Sequence, residues 1–255
     1  MASTKEKRSG PTKGTPKPKS KAGADGKVHP WRKCVLGQHW RRDHDVRPHL
    51  RKGRPVKGSH HKASCNPNKS EKDTLYEVEI EAMALEFFAG LSGPPKADDL
   101  SDLQYKRGNE FDIFIRGWTK YWNDVLEAST PLDANLIKAL IATESSFKPA
   151  LVIKDGKGQG KARGLMQVTD TTLRILQNQK GELKDHLVIL SKKDMLTPNL
   201  NICAGIRWLF RKGEISESRR GSSSDWVKTI ALYKGYPEKH SQIEKLKKLY
   251  ERLKS

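Results

Sequence analysis

The sequence predicts a mainly α fold behind a basic N-terminal arm, and two observations support this prediction. From about residue 72 onward, apolar side chains recur at the three- and four-residue spacing of amphipathic helices. Basic charge is concentrated before that point, because residues 1–72 hold 20 Lys and Arg against five acidic residues in a chain of 255 residues and net charge +19. We therefore expect four parts: a disordered basic tail over 1–27, a basic His- and Cys-containing segment over 28–71, a helical lead-in over 72–130 and a helical domain over 131–255.

Composition excludes several classes of protein. No stretch approaches the ~18 uninterrupted apolar residues of a membrane span, and the N-terminal MASTKEKRSGPTKGTPKPKS lacks the apolar core of a signal peptide. The three cysteines, Cys34, Cys65 and Cys203, are too few and too scattered for a disulfide framework. We therefore expect synthesis in the cytoplasm, a reducing origin by default, and no export by the general secretory route.

The N-terminal arm begins with a segment that favours disorder and continues into one that is rich in metal-ligand residue types. Residues 1–27 are almost wholly Lys, Ser, Thr, Gly and Pro, which bury too little apolar surface to offset the entropy of ordering. Residues 28–65 hold six of the eight histidines. One interpretation is a zinc site whose ligands are Cys34, His39, His60 or His61, and Cys65. The four-residue gap inside each Cys-His pair matches no common zinc finger, so no cofactor is the first expectation.

A second interpretation of the same segment is a small basic β-hairpin. Val46-Arg47-Pro48-His49 is partly echoed by residues 56–60, and the turn-like Arg51-Lys52-Gly53-Arg54 separates the two. Its cations, with Trp31 and Trp40 beside them, would suit an anionic polymer such as nucleic acid or a cell-wall polymer. Two interpretations remain. The segment is either a solvated surface or a docking segment for a secretion or phage-particle partner.

Two helices are expected in the lead-in. A stripe from Leu75 to Phe88 predicts the first helix, which must end before Ser92-Gly93-Pro94-Pro95, although residues 76–80 also alternate like a strand. Aromatic and aliphatic side chains at helical spacing over 111–125 predict the second. Aromatic residues in such a stripe are typical of a core rather than of a ligand-binding site.

A third helix is expected from an Asp133 N-cap to Glu144, before Pro149. Glu144 follows Leu140 and Ile141 on the apolar face and lies in the last turn, where the helix dipole disfavours negative charge. Both effects favour the protonated form of its carboxyl group. Glu144 is therefore a candidate catalytic acid, with an acid that only reaches a polar neighbour as the alternative.

The glycine-bearing stretch over 155–162 fits neither a phosphate-binding loop nor a dinucleotide fingerprint, and we expect a flexible loop. Four more helices are expected after it. Their predicted spans are 169–176 with a Thr169 or Asp170 cap, 198–213 ending at Gly213, 225–233 with an Asp225 cap, and 243–253.

Four short motifs in this helical half follow one another in a characteristic order. They are Glu144-Ser145-Ser146-Phe147, Gly164-Leu165-Met166-Gln167, Asn201-Ile202-x-x-Gly205 and Ala231-Leu232-Tyr233. Their order and gaps resemble the transglycosylase SLT domain of bacterial lytic transglycosylases, which are relatives of goose-type lysozyme. The resemblance covers roughly residues 131–240 and implies a lysozyme-like helical domain.

The resemblance also implies a reaction and a substrate. The substrate would be the glycan strands of peptidoglycan, cleaved at the β-1,4 bond between N-acetylmuramic acid and N-acetylglucosamine. Glu144 matches the lone catalytic acid of the family, whose products end in a 1,6-anhydro sugar. Ser145, Met166, Gln167 and Tyr233 match glycan-contacting positions.

One departure from the family and two alternatives remain at this point. Lys234-Gly235-Tyr236 stand where many members have Asn-Ala-Gly, which puts the local glycan contact in doubt. Asp155 and Asp170 are the nearby candidates for the second carboxylate that a hydrolytic lysozyme would need. A non-catalytic module that binds glycan or nucleic acid is the alternative from another class. Because peptidoglycan lies outside the cytoplasmic membrane, an enzyme without a signal peptide must reach it by a specialised route, as a phage lysin or a secreted effector does.

Overall fold

The computed structural model describes residues 31–254, apart from 36, 53, 69–71, 96–104, 155, 157 and 221–224. The tail over 1–27, expected to be disordered, lies outside the described residues. Seven α-helices occur in the described part, which confirms the mainly α prediction. They are α1 Glu77–Met83, α2 Asp112–Val125, α3 Ala134–Ser145, α4 Asp170–Leu176, α5 Pro198–Arg220, α6 Trp226–Lys234 and α7 Ser241–Lys254.

The basic segment folds into a long antiparallel ribbon made of three nested strand pairs. Its strands are β1 Gln38–Arg41, β2 His44–Val46, β3 His49–Arg51, β4 Arg54–Val56, β5 Ser59–His61 and β6 Ser64–Pro67. β1 pairs with β6, β2 with β5 and β3 with β4, so that the chain reverses between Arg51 and Arg54. This confirms the predicted hairpin and its turn, and extends the hairpin by a strand pair at its base.

Two buried residues fix the base of this ribbon to the helical part. Arg32 is paired with Asp73 and donates to Glu79 Oε1 at 2.9 Å and to the carbonyl of Thr74 at 3.0 Å. Glu79 Oε1 also accepts from the backbone N–H of Trp40 in β1 at 3.1 Å. Because buried charges are stable only when they are paired, the partners in this cluster are needed together, and they connect β1 to α1.

The cysteines of the arm correct the sequence interpretation. Cys34 and Cys65 form a disulfide, because the β1–β6 register places Cys65 opposite Trp40 and beside the segment that carries Cys34. Both sulfurs of the zinc set are thereby used, and no group of three or more potential metal ligands occurs among the described residues. The expectation of a reducing environment stays a prediction.

The core lies among α2, α3 and α5, and the aromatic stripe of α2 supplies much of it. Trp118 and Trp122 are fully buried. Their indole N–H groups donate to Asn199 Oδ1 at 2.7 Å and to the carbonyl of Cys203 at 3.0 Å, both in α5. The prediction that these aromatics are core residues is confirmed, because each ring is packed and its polar atom has a partner.

The helix boundaries agree with the predicted caps. Asp133 accepts from the N–H of Asn135, Thr169 from that of Thr172, and Asp225 from those of Val227 and Lys228. The predicted end of α5 at Gly213 is wrong, because the helix continues to Arg220. Gly213 is buried, so the position lies inside the packed part of the helix. Arg211 and Glu214, on either side of it, form an ion pair at 2.8 Å.

Short strands complete the fold and were not expected. β8 Val152–Lys154, β9 Lys161–Arg163 and β10 Val168–Thr169 form an antiparallel sheet in order β10-β9-β8. β8 and β9 flank the stretch over 155–162 where a loop was expected, and β9 includes its last two residues. β7 Thr74–Tyr76 precedes α1 and pairs in parallel with β11 Leu187–Ile189. After α1 the chain continues as a π-helical turn over Ala84–Phe88. Within the described residues, none of the helices combines the length and apolarity that a bilayer crossing requires.

Candidate active site

Glu144 lies at the C-terminal end of α3, where the chain turns sharply. Ser146 and Phe147 both have left-handed backbone conformations, with φ of 50° and 58°. The Phe147 ring is buried and stacks on Phe111 of the turn before α2, at 6.5 Å between centroids. This anchor ends the helix at Ser145 and leaves the Glu144 side chain 16% exposed.

A tight turn over Gly164–Gln167 is held by Asn201 of α5. Asn201 Oδ1 accepts from the N–H of Met166 at 2.8 Å, and its Nδ2 donates to the carbonyls of Arg163 and Met195, both at 2.9 Å. Gly164 has φ +74°, and a Cβ there would lie 2.2 Å from the Met195 carbonyl oxygen. The asparagine and this glycine are therefore structural requirements of the turn.

Gly205 and Tyr233 both contact Met166 in the same turn. A Cβ on Gly205 would lie 2.5 Å from the sulfur of Met166, so only glycine admits the methionine side chain. Tyr233 Oη donates to the Met166 carbonyl at 2.6 Å. Burial, with the charge of Glu144 as a smaller cause, raises the pKa of Tyr233 well above its ordinary value, so its hydroxyl keeps its proton.

The structure brings all five sequence-predicted site residues into this region, and four of them make contacts or are buried within the fold. Ser145 is buried and its hydroxyl donates to the carbonyl of Ile141 at 3.2 Å. Met166 is completely buried, and the Tyr233 hydroxyl is used within the fold. Gln167 Nε2 donates to the carbonyl of Gly164 at 2.7 Å. The side chains of Ser145 and Met166 are thus buried, and glycan contact at these four positions stays a prediction.

The carboxylate of Glu144 contacts Lys234, which stands where the sequence departs from the family motif. Lys234 Nζ, from the last residue of α6, donates to Glu144 Oε1 at 2.6 Å and to Thr143 Oγ1 at 3.2 Å. The spacing along the helix could not reveal this, because Lys234 lies 90 residues from Glu144.

The candidate second carboxylate is not free. Asp170 contacts Arg163, accepts from the N–H of Lys161 at 3.2 Å and lies 3.5 Å from Lys192 Nζ. These partners lower the pKa of Asp170 although burial acts in the opposite direction. Asp155 lies outside the described residues.

Comparison with known protein families matches residues 123–251, about half of the chain, to the family described as Transglycosylase SLT domain. The matched range includes α3, the Gly164–Gln167 turn, α5 and α6, which together build the site around Glu144. No curated protein and no solved structure matched the chain. At the level of the family, the match implies lytic-transglycosylase-type activity on peptidoglycan.

Proposed function

Because the chain belongs to the transglycosylase SLT family, we propose that it cleaves the β-1,4 bond between N-acetylmuramic acid and N-acetylglucosamine with Glu144 as its only catalytic acid. The observation that carries this proposal is the position of Glu144. Its carboxylate is partly exposed at the end of α3, whereas the neighbouring motif residues hold the turn and the helix end around it. A carboxyl group held in this way can donate a proton to a bound glycosidic oxygen.

The proposed reaction consumes no water. Protonated Glu144 gives its proton to the glycosidic oxygen, and the bond from that oxygen to the anomeric carbon of the muramoyl residue breaks. The 6-hydroxyl oxygen of the same residue then bonds to the anomeric carbon, and the Glu144 carboxylate takes the proton that this hydroxyl loses. The products are a free 4-hydroxyl group on one strand and a 1,6-anhydro end on the other, and the acid is regenerated.

The contacts that Asp170 makes support an anhydro product over hydrolysis. An inverting glycosidase needs a second carboxylate free to activate water, and a retaining one needs a second carboxylate free to attack. Asp170 is instead bound to Arg163, to the backbone of β9 and, more loosely, to Lys192. Mass spectrometry of digested peptidoglycan tests the proposal, because an anhydro product is 18 Da lighter than the hydrated one, and a binding module would give no product.

We further propose that the ribbon binds a polymer of phosphodiesters near the enzyme's substrate. The stretch from residue 47 to residue 58 has five cations and no acid, and its strands β3 and β4 are exposed along their whole length. Leu50 at the tip is 73% exposed. Closely spaced, exposed cations on a paired ribbon suit a polyanion, because association releases the counterions of the polymer.

The disulfide supports a place of action outside the cytoplasm, where peptidoglycan lies. A bond between Cys34 and Cys65 is maintained in an oxidising compartment. Measuring the redox state of these two cysteines in protein recovered from its site of action tests this point, and free thiols there would contradict it.

A further inference from the structure

The tip of the ribbon sets two arginines directly opposite each other. β3 and β4 pair in a register that places Arg51 opposite Arg54 and, one step further from the turn, Leu50 opposite Pro55. Residues directly opposite in an antiparallel pair share a face, and their Cβ atoms lie roughly 4.5–5.5 Å apart. Because successive residues of a strand alternate between faces, Leu50 and Pro55 lie on the other face. The two arginine side chains therefore begin at neighbouring points on one face of the ribbon.

The guanidinium groups of this pair have no partner within the part of the chain that the structure describes. Arg51 and Arg54 are exposed, and neither makes a side-chain hydrogen bond or an ion pair there. The acids nearest to them along the ribbon are engaged with other groups. Asp45 lies 2.8 Å from His60 Nδ1, and Asp43 accepts from a backbone N–H of the opposite arm. The protein thus leaves the charge of the arginine pair uncompensated.

An anion bound between the two arginines would supply this missing charge. Like charges directly opposite each other destabilise a strand pair, and a negative group between them replaces that repulsion with two attractions. Each guanidinium group presents its N–H donors in a planar fork that matches the oxygens of a phosphate group. A phosphodiester has a pair of non-bridging oxygens that share its negative charge, so both arginines can donate to it at once.

The neighbouring cations of the ribbon do not repeat this arrangement. Arg47 lies between β2 and β3, and Lys57 lies between β4 and β5. The register on both sides of these positions sets Gly58 across from Arg47 and Pro48 across from Lys57. Neither cation therefore has a second cation directly opposite, although both add to the attraction of the ribbon for a polyanion.

We infer that Arg51 and Arg54 together form a clamp for one phosphodiester group. The inference rests on the proposed binding of a phosphodiester polymer by the ribbon, and it assigns recognition of one repeating unit to these two side chains. The other cations attract the polymer by charge, whereas the clamp requires the shape of the guanidinium groups as well.

Replacing arginine by lysine tests the clamp, because the charge stays and the planar fork is lost. The probes are poly(glycerol phosphate) and a single-stranded oligonucleotide, which are two sources of the same group, and calorimetric titration at fixed salt measures the affinity. Arg51→Lys and Arg54→Lys should each weaken binding of the preferred probe about tenfold, since hydrogen bonds to a charged group are lost. The matched control, Arg47→Lys, should change the affinity less than about twofold, because charge alone acts there.

The double variant Arg51→Lys/Arg54→Lys shows whether the two side chains act together. In a clamp, loss of either fork already releases the phosphate group, so the double variant should bind little more weakly than either single variant. Losses that multiply would show two independent contacts and overturn the clamp. Equal small effects at positions 47, 51 and 54 would also overturn it, while leaving the proposed polymer binding intact. A wild-type protein that binds neither probe overturns the proposed binding itself.

A second measurement needs no variant. The Nε–H resonances of Arg51 and Arg54 in the wild-type protein should shift together as the preferred probe is added, and they should saturate at the same probe concentration. A shift of only one of them, or of neither, at concentrations where the probe is bound would overturn the clamp.

Discussion

The hydroxyl of Tyr233 donates a 2.6 Å hydrogen bond to the carbonyl of Met166 and so connects α6 to the Gly164–Gln167 turn. The resemblance implied that this tyrosine contacts glycan, whereas the structure gives its polar atom a partner within the fold. Its partly buried ring and its hydrogen bond both act to hold the turn beside Glu144. Tyr233 is therefore a residue whose effect on cleavage should follow its effect on the turn.

Tyr233→Phe should lower the free energy of unfolding by about 1 kcal/mol, because the carbonyl of the buried Met166 loses its donor. Urea denaturation at neutral pH measures this. Tyr250→Phe is a useful comparison, since its hydroxyl donates to Asp133 at the opposite end of α3 and away from the turn. Only Tyr233→Phe should also reduce kcat, and equal activities of the two variants would show that the turn is not coupled to catalysis.

Reduction of the Cys34–Cys65 bond should destabilise the ribbon and its base. The bond closes a loop between residues 31 positions apart, for which chain entropy predicts about 3–4 kcal/mol. Denaturation of the oxidised protein, of the reduced protein and of Cys34→Ser/Cys65→Ser measures the loss. Metal analysis completes the test, because one zinc per chain together with free thiols at both positions would restore the zinc interpretation.

Stability should fall at acidic pH partly through Asp73. Burial alone would raise the pKa of Asp73, but hydrogen bonds from His186 and Arg32 hold it at about 2, below its ordinary 3.8. A lowered folded-state pKa gives stability that is present above about pH 4 and is lost as the pH falls towards 2, here about 2 kcal/mol. Asp73→Asn should be less stable at neutral pH, because Arg32 loses a partner, and should lose less stability between pH 4 and 2. Urea denaturation at each pH measures this. An equal loss of unfolding free energy between pH 4 and pH 2 in wild type and in Asp73→Asn would contradict it.

Binding of the ribbon to a polyanion should depend steeply on salt. Replacing Arg47, Arg51 and Arg54 by Gln should reduce the slope of log K against log salt by roughly 2 to 3, because three phosphate contacts are lost. Poly(glycerol phosphate) and a single-stranded oligonucleotide are the two probes, and they distinguish a wall polymer from nucleic acid.

The control for the ribbon is a triple variant with the same change in charge elsewhere. Lys106, Lys180 and Lys184 are exposed and lie outside the ribbon, so Gln at these positions should leave the slope nearly unchanged. Equal slopes for the two triple variants would mean that net charge rather than the ribbon attracts the polymer. Binding whose strength does not change with salt concentration would contradict the proposal that the ribbon binds a polyanion.

Patterns among residues close together in the sequence were sufficient to predict much of the fold. The Asp133 cap and the apolar spacing through Ile141 lie within one helix, and they located both α3 and Glu144 correctly. The hairpin turn between Arg51 and Arg54 was likewise set by neighbouring residues. Local sequence misled where packing decides, since Gly213 is an ordinary helix stop but lies buried inside α5.

Contacts between distant segments could not be obtained from spacing. β7 and β11 pair across more than 100 residues, and the disulfide depends on a strand register that positions Cys65 beside the segment carrying Cys34. The contact between Lys234 and Glu144 is of the same kind. The sequence marked Glu144 as a candidate acid, but the lysine that contacts it becomes visible only when α6 is packed beside α3.

The central claim is that one carboxyl group carries the chemistry, and the rate at which Glu144→Gln releases fragments from purified peptidoglycan tests it most directly. Gln keeps a polar oxygen beside the buried Lys234, whereas Ala would leave that cation unpaired and risk unfolding. With circular dichroism confirming the fold, we predict a loss of at least about 100-fold, with 1,6-anhydro products from the wild type alone. Cleavage by Glu144→Gln within a few-fold of wild type would contradict the account.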